Sequence, residues 1–376
     1  MTGRNRICAA LMIIWITAVF LTGCWDKREL EELFVAYTAG IDIDEKDSGI
    51  LSFSLSGPTV EEKAEEANIS VVSQGKSIQD AMINIQSKLY REVVLGHIQV
   101  LLIGEETAKE GISVFLDAFF RNPYVRGTLL LGITKGKASE LLTESRLKQH
   151  PYTGIILKKL LQGSNREGIS CRCKLVEFFR CLGIEGKDPC MPYLIISPAR
   201  DQIIVNNIAV FRGDRLAGTL DRDESIAAMI LMDKMNSGKM VIDLSKSGEE
   251  SFLDSSAVNI YRTARKITAL TEEDKVKIKV ELKVTAELSE DPLYRKTISK
   301  ALIDRQERLF EEKLKSDAIK TLKKLQAYKS DIVCFGEIIR ARHPDFFQGK
   351  EWREIYANAD FDIDVHFRIR RVGTVS

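Results

Sequence analysis

The 376-residue sequence carries 55 basic and 54 acidic side chains, a formal charge of +1 at pH 7 that gives no electrostatic basis for binding nucleic acid. Hydrophobic residues make up 44% of the chain and charged residues 29%, which is typical of a globular protein. A chain of this length is expected to form two or three domains, each large enough to have its own core.

The N-terminal segment predicts export. Two arginines precede an uncharged run of 15 residues at 7–21. A run of this length suits a signal peptide and falls short of the roughly 20 residues that span a bilayer. The other interpretation is an uncleaved membrane helix, and we find no second apolar run that approaches membrane-spanning length.

The end of this run predicts lipid attachment. Leu-Thr-Gly-Cys at 21–24 has the layout of a bacterial lipobox: the small pair admits a peptidase, and the Cys24 thiol can form a thioether to a diacylglyceryl group. Two long acyl chains hold a protein on a membrane firmly, whereas one is marginal. We expect cleavage between Gly23 and Cys24, which leaves 353 residues (376 minus 23) exported and tethered at one end.

The first half of the remaining chain mixes predicted strands and helices. Residues 34–44 and the alternating stretch at 51–56 read as the two strands of a hairpin. Ser77 is predicted to cap a helix whose apolar residues recur at steps of three and four. Further strands are predicted at 93–103 and 127–134, and further helices at 105–120, 137–147, 152–162 and 174–182.

The second half contains the clearest patterns. A hairpin is predicted at 203–220 with its turn at Gly213-Asp214, then a helix at 221–235 and a polar linker at 245–256. Residues 276–286 and 361–369 alternate apolar and polar side chains, which predicts strands with one buried face. The stretch from 291 to about 328 is predicted to be helical, since neither glycine nor proline interrupts it after Pro292.

These patterns predict an α+β fold of three domains with mixed or antiparallel sheets and packed helices. In the last domain we expect a long helix to lie across an antiparallel sheet, because both alternating strands need a cover for one face. The predicted organisation is a signal peptide at 1–23, an N-terminal α+β domain at 24–198, a small middle domain at 199–262 and a C-terminal α+β domain at 263–376.

A search for catalytic chemistry finds no motif, so we do not expect an enzyme. Gly-Lys-Ser at 75–77 resembles the end of a phosphate-binding loop, but Ser70 stands where that loop needs glycine. His97 is predicted to be a structural histidine within a strand, His366 to lie on a solvated strand face, and His150 and His343 to lie at helix ends. Asp42 and Asp44 could suit a cation, although a solvated strand edge is the favoured interpretation.

The chain has seven cysteines, of which Cys8 leaves with the signal peptide and Cys24 is assigned to lipid. The spacing of the rest lacks the paired two-residue gaps of common zinc sites, so we expect no stoichiometric metal. Disulfides stay possible, and free or partly buried thiols are the favoured state. The five are Cys171, Cys173, Cys181, Cys190 and Cys334.

Motifs along the whole chain resemble those of the Ger(x)C family of spore germination lipoproteins. Their order over some 350 residues is what makes the resemblance specific. They are Cys-Trp-Asp-Lys-Arg-Glu-Leu at 24–30, Gly-Ile-Asp at 40–42, Gln-Gly-Lys-Ser-Ile at 74–78, Leu-Gly-His at 95–97, Ile-Gly-Glu-Glu at 103–106, Arg-Asn-Pro at 121–123, Asp-Ile-Val-Cys-Phe-Gly at 331–336, His-Pro at 343–344, Trp352, and Ile-Arg-Arg-Val-Gly-Thr at 369–374.

The resemblance implies the C subunit of a nutrient germinant receptor, anchored on the outer face of the inner spore membrane beside two integral membrane subunits of A and B type. No catalytic residues come with the family, and only its lipidation cysteine carries over, to Cys24. Whether this subunit binds the nutrient directly is left open. The family usually has glycine where Cys334 stands, and the cluster from Cys171 to Cys190 is not a family feature.

Two other classes of tethered protein have to be weighed. A substrate-binding lipoprotein of a transporter would share the lipobox, but it should show two lobes of strand-helix-strand units with near-continuous apolar strands. A tethered hydrolase should show a catalytic constellation. The alternating strands argue against the first class, and the missing constellation argues against the second.

We predict that Cys24→Ala blocks lipidation and normal processing, because no neighbouring side chain can form the thioether. Detergent partitioning and the mass of the N-terminal peptide measure this, with Cys8→Ala as a control that should be processed like the wild type. An unmodified Cys24 at the mature N-terminus of the wild-type protein would contradict the prediction.

Overall fold

The protein is represented by a computed structural model that describes residues 3–20, 29–43, 49–59, 68–143, 153–199, 202–244, 255–272, 275–290, 300–347 and 349–372. The lipobox at 21–24 lies outside the described residues, so cleavage and lipidation stay predictions. Among the described helices, none combines the length and the apolar character needed to cross a membrane.

Helices and strands alternate along the described chain, with a short 3-10 turn at Leu30–Glu32. They are α1 Gly3–Phe20, β1 Leu33–Val35, β2 Thr38–Ile43, β3 Leu51–Pro58, β4 Asn68–Gly75, α2 Ile78–Gln86, β5 Glu92–Val94, β6 Val100–Gly104, α3 Glu105–Glu110, α4 Ser113–Phe120, β7 Leu130–Thr134, α5 Ala138–Thr143, α6 Thr153–Arg166, α7 Leu175–Leu182, β8 Cys190–Ile196, β9 Ile203–Arg212, β10 Arg215–Leu220, α8 Arg222–Leu231, β11 Gly238–Asp243, β12 Ser255–Glu272, β13 Lys275–Glu290, α9 Lys300–Ala327, α10 Phe335–Arg342, α11 Pro344–Phe347, α12 Trp352–Ala357 and β14 Asp360–Val372.

The larger sheet has the strand order β10-β9-β8-β7-β6-β2-β3-β4. Its middle strands β2, β6, β7 and β8 run parallel, while antiparallel hairpins close both ends, including the predicted pairs β2–β3 and β9–β10. The parallel centre was not predicted from the sequence. It follows from the helices that connect β6 to β7 and β7 to β8, because parallel neighbours need such crossovers.

Alternate residues of the central strands enter different cores. Leu101 and Ile103 of β6 belong to a cluster with residues of α2, α4 and α7, whereas Val100 and Leu102 belong to a second cluster with residues of α5 and α6. A sheet covered by helices on both faces needs apolar residues at consecutive positions. This explains why the run at 93–103 lacks alternation, although Gly96 to Gln99 separate it into β5 and β6.

The smaller sheet has the order β11-β12-β13-β14 and packs against α9, which confirms the α+β class and the predicted long helix. Strands β11, β12 and β13 are antiparallel, but β13 and β14 run parallel, so this sheet is mixed. The chain returns through α9 to α12 before β14, a connection long enough for a parallel crossover. Strand β12 was not predicted, because beyond Ile260 few of its side chains are buried.

Helix α9 covers the edge of the smaller sheet with both apolar and polar contacts. Phe310 stacks on Phe367 of β14 with ring centroids 5.2 Å apart. Glu311 and Glu307 accept the backbone N–H groups of Phe367 and Ile369 at 2.9 and 2.8 Å. The helix therefore occupies hydrogen-bonding positions that an edge strand would otherwise offer to another chain.

Helix α9 packs on the sheet through a mainly apolar stripe. Phe310, Leu314, Leu322 and Leu325 are buried, whereas Ile319 is 37% exposed. Small or polar side chains, Ala318 and Thr321, are buried instead. The predicted domain boundaries at 198/199 and 262/263 stay predictions.

The packing of β14 generates a stability prediction. Ile363 is 3% exposed and pairs with Val280, while Asp362 is exposed. Ile363→Asp buries a carboxylate without a partner and should lower the free energy of unfolding by about 3 kcal/mol or more. The control Asp362→Ala should change it by less than about 0.5 kcal/mol. Urea denaturation measures both, and equal midpoints for the two variants would show that the faces are misassigned.

Candidate functional site

A buried carboxylate joins the two parts of the fold. Asp188 lies in the loop between α7 and β8 and is only 4% exposed. Its Oδ1 accepts the N–H of Gly213 at 2.7 Å and Nη2 of Arg353 at 2.9 Å, and its Oδ2 accepts the N–H of Asp331 at 2.9 Å. One side chain therefore fixes the β9–β10 turn, the turn before α10 and helix α12 relative to one another.

A second buried carboxylate, Asp331, organises the turn that Asp188 contacts. Its oxygens accept the N–H groups of Phe335 at 3.0 Å and Gly336 at 2.8 Å, at the start of α10, and Nε1 of Trp352 at 3.0 Å. Burial and the nearby charge of Asp188 together raise the pKa of Asp331 to about 7. The N–H groups that donate to its carboxylate oppose this rise. We call the contact of the loop at 183–189 with the turn at 330–336 the seam.

Two glycines allow the backbones to meet at the seam. A Cβ on Gly186 would lie 2.6 Å from the carbonyl carbon of Gly336, so no side chain fits. Glu337 donates its N–H to the Gly186 carbonyl at 3.1 Å, and its carboxylate pairs with Lys187 Nζ at 2.8 Å. Cys334 has a φ of 69°, a left-handed conformation that favours glycine, which agrees with the glycine usual in the resembled family.

The seam gives the motif at 331–336 and Trp352 a physical role. In the sequence these residues stood out only through the family resemblance, and neither Asp188 nor Arg353 was predicted to matter. Hydrogen bonds between positions 143 and 165 residues apart leave no periodic pattern in a sequence. The available signal was the combination of Gly186 and Pro189 in one loop, which is typical of a turn.

Asp42 is neither a cation ligand nor on a solvated edge. It is 2% exposed, and its carboxylate accepts the N–H groups of Ala138 at 2.7 Å and Ser139 at 2.9 Å. It therefore caps the start of α5 from a neighbouring strand. The favoured interpretation of a solvated edge was wrong, because a distant helix comes to lie over β2. Asp44 lies outside the described residues.

A further buried carboxylate holds two helices together. The side chain of Glu224 on α8 is 3% exposed and completes a capping box with Asp221. It also pairs with Lys324 of α9 at 2.7 Å and with Lys320 of α9 at 3.2 Å. Two cations compensate the burial of this charge, so it positions α9 and is not free for chemistry.

The described histidines lie apart from one another and form no cluster. His97 lies exposed in the turn between β5 and β6, so its assignment to a strand was wrong. His343 caps the C-terminal end of α10 and His366 is exposed on β14, as predicted, while His150 lies outside the described residues. His97 does border a cavity of about 270 Å³ with a cationic lining, which comprises Arg126, Lys158, Arg172 and Lys174.

The five cysteines, in contrast, lie close together. A cavity of about 230 Å³ opens beside the seam, and four thiols line it, with the fifth, Cys171, buried. All five are free thiols, the state favoured from the sequence. The structure adds Cys334 to the group. In the described part of the chain we find no cluster of histidine, cysteine and carboxylate groups arranged to hold a metal ion. The lining thiols are Cys173, Cys181, Cys190 and Cys334.

The fold and the seam define an α+β protein with an eight-stranded sheet, a four-stranded sheet and the parallel pair β1–β5, in which the buried carboxylates described above hold its own elements together. Residues 26–196 match the family described as spore germination protein N-terminal domain, and residues 206–373 match the family described as spore germination B3/GerAC like, C-terminal. Because these matches cover most of the chain, it belongs to the GerAC-like family of spore germination proteins.

Individual proteins agree with this assignment over their whole length. Spore germination protein B3 of Bacillus subtilis is 24% identical over 385 residues, covering 98% of this chain and 99% of that protein. Spore germination protein KC of the same organism is 24% identical over 407 residues, covering 98% and 96%. The crystal structure of the GerBC protein superposes with a TM-score of 0.59 at 21% identity, covering 90% of this chain and 99% of that chain, and so shares the fold.

The raised pKa of Asp331 generates a prediction about pH. The folded carboxyl titrates at about 7 and the unfolded one near 3.8, so between these values the folded chain binds a proton that the unfolded chain has released. This contribution to the free energy of unfolding is complete at low pH and is lost as pH rises toward 7. Between pH 5 and 8 the loss should be about 2 to 3 kcal/mol.

Asp331→Asn removes the titrating group. The unfolding free energy of the variant should therefore lack the loss of about 2 to 3 kcal/mol that the wild type shows between pH 5 and 8. The variant should also be less stable overall, since an amide has one oxygen for three N–H donors. Urea denaturation at both pH values measures this, with the exposed Asp345→Asn as control. Parallel pH profiles for wild type and Asp331→Asn would contradict the assignment.

Proposed function

We propose that this chain is the lipid-anchored subunit of a nutrient germinant receptor and that it acts without catalysis, by docking with integral membrane subunits of A and B type on the outer face of the inner spore membrane. The observation that carries the proposal is the match of both halves of the chain to the spore germination family. The whole-length similarity to germination proteins B3 and KC supports it.

The state of the buried acids supports a role without catalysis. Asp42, Asp188, Asp331 and Glu224 are all buried, and each accepts hydrogen bonds from backbone N–H groups or from cations that position an element of the fold. A general base needs a free lone pair directed at a substrate. The oxygens of these four carboxylates are instead occupied by hydrogen bonds and ion pairs within the fold.

The predicted tether supports docking close to the membrane. Five residue steps separate Cys24 from Glu29, where the described folded part begins, which span at most about 18 Å. Strand β1, from Leu33, pairs with β5 and joins this end of the chain to the folded domain, so that a lipid on Cys24 would hold the domain near the membrane. Confinement of this kind raises the effective concentration of the protein at its membrane partners, so that even a weak interface can be well occupied.

A spore germination assay tests the proposal. A strain lacking the gene should lose the response to one set of single nutrients, while germination by a non-nutrient trigger continues. Wild-type protein and Cys8→Ala should restore the response, and Cys24→Ala should restore much less, because it lacks the predicted anchor. Loss of refractility and release of spore solutes provide the rates.

The control is a strain in which related receptor genes are also removed, since another receptor could otherwise mask the loss. A deletion strain that still germinates normally with every nutrient tested in this background would overturn the proposal. Full restoration by a Cys24→Ala protein that is shown to lack lipid would refute the tether and leave the receptor role intact.

A further inference from the structure

The basic cavity beside His97 lies at the edge of the larger sheet where the parallel strands β6 and β7 begin. Its volume is about 270 Å³. Its walls are the turn at 96–99 before β6, residues 126–130 at the start of β7, helix α6 and the segment at 172–174 before α7. Four separate segments of the chain therefore form one concave surface.

The charges that line this cavity have one sign. Four cations line it, and among the described residues no aspartate or glutamate does. Lys174 has a partner, since its Nζ lies 3.4 Å from the carboxylate of Glu177. In the part of the chain that the structure describes, no carboxylate lies at ion-pair distance from the other three cations, Arg126, Lys158 and Arg172. Their charge therefore attracts an anion from outside the chain.

Exposed apolar side chains adjoin these cations. Tyr124 is 76% exposed and lies two residues before Arg126, while Phe120, 50% exposed, ends α4 just before the same loop. Val176 is 45% exposed and donates its N–H to the carbonyl of Gly127 at 3.1 Å, so it lies beside the loop as well. Grouped apolar side chains of this kind mark an interaction surface. Tyrosine and basic residues occur together at membrane interfaces, where the ring enters the headgroup layer and the cation meets anionic lipid.

The predicted tether ends close to this surface. Strand β1 follows the tether and pairs in parallel with β5, and two residues after β5 Gly96 begins the wall of the cavity. Two residues after β1, the carbonyl of Tyr37 accepts the N–H of Gln99, another residue of the wall, at 2.8 Å. The wall is thus held directly on the segment that follows Cys24. A lipid on Cys24 would therefore bring the cavity within reach of the bilayer.

We propose that the basic cavity binds the phosphate group of an anionic phospholipid in the membrane to which the chain is tethered. The cations supply the charge, and the hydroxyl of Thr128 and the amide of Gln162, which also line the cavity, can donate to phosphate oxygens. The exposed apolar rim favours a lipid over a soluble phosphate, because a soluble anion gives those side chains nothing to contact. The proposal rests on the proposed tether for access to the bilayer, while the binding chemistry belongs to the cavity alone.

Lysine acetylation in vesicles tests the proposal. The full chain is purified from membranes and reconstituted into vesicles of phosphatidylcholine alone or of phosphatidylcholine mixed with phosphatidylglycerol. Peptide mass spectrometry measures acetylation rates at Lys158 and Lys174 in the cavity and at the exposed Lys159 and Lys266 outside it. Phosphatidylglycerol should slow the two cavity lysines about fivefold relative to the two reference lysines, because a bound headgroup covers them and stabilises their charged forms.

Matched arginine variants separate the cavity from general surface charge. Arg126→Gln combined with Arg172→Gln removes two cations of the cavity, whereas Arg166→Gln combined with Arg222→Gln removes two cations outside it. The first variant should lose the protection of Lys158 by phosphatidylglycerol, and the second should keep it. All four arginines are exposed, so both variants should fold, and circular dichroism melting checks this.

Several outcomes would overturn the proposal. Equal slowing at cavity and reference lysines would show only a general effect of the charged surface, and protection retained in the Arg126→Gln and Arg172→Gln double variant would exclude the cavity. Inorganic phosphate that protects Lys158 equally well in neutral vesicles would assign the cavity to a soluble anion. Protection that requires added spore membrane proteins would assign it to an acidic protein surface.

The tether is tested separately, by flotation of the chain with phosphatidylcholine vesicles. A chain that does not float with them refutes the tether, and its acetylation in the presence of the charged vesicles still decides whether the cavity binds the headgroup. The receptor role is tested in spores, so failure of the cavity proposal leaves that role intact.

Discussion

The pairing of Asp188 with the turn that begins at Asp331 is the constraint on which the rest of the structure depends. Both carboxylates are almost fully buried, and burying a charge is unfavourable unless hydrogen bonds compensate it. Asp188 therefore accepts N–H donors from segments that are distant in the sequence, and Asp331 accepts them from the start of α10 and from Trp352. The result is that the loop before β8, the β9–β10 turn and the helices α10 and α12 meet in one place, and neither sheet can shift without breaking these bonds.

The same principle recurs away from the seam. Asp42 caps a helix that lies over a neighbouring strand, and Glu224 joins α8 to α9 through two lysines. Glu307 and Glu311 occupy N–H groups of the edge strand β14. Acids that could suggest an active site in the sequence thus serve to fix one element on another. A protein built in this way presents a rigid surface, which suits a role in an assembly.

The cysteine cavity lies where the seam brings distant segments of the chain together. The seam brings the turn at Cys334 against the loop that joins Cys181, at the end of α7, to Cys190. Burial raises the pKa of Cys173 and Cys181 and so keeps these thiols protonated. The cavity therefore depends on the same contact that joins the two sheets.

The sequence by itself determined the local elements: the β2–β3 and β9–β10 hairpins, the cap at Ser77, the one-faced strands β13 and β14, and the long helix α9. It did so because turn residues and apolar spacing act over a few positions. Only the tertiary structure decided that the middle of the large sheet is parallel, that Asp42 is a buried cap and that Cys334 joins the other thiols. Those outcomes depend on contacts between residues some 30 to 160 positions apart, which leave no local pattern.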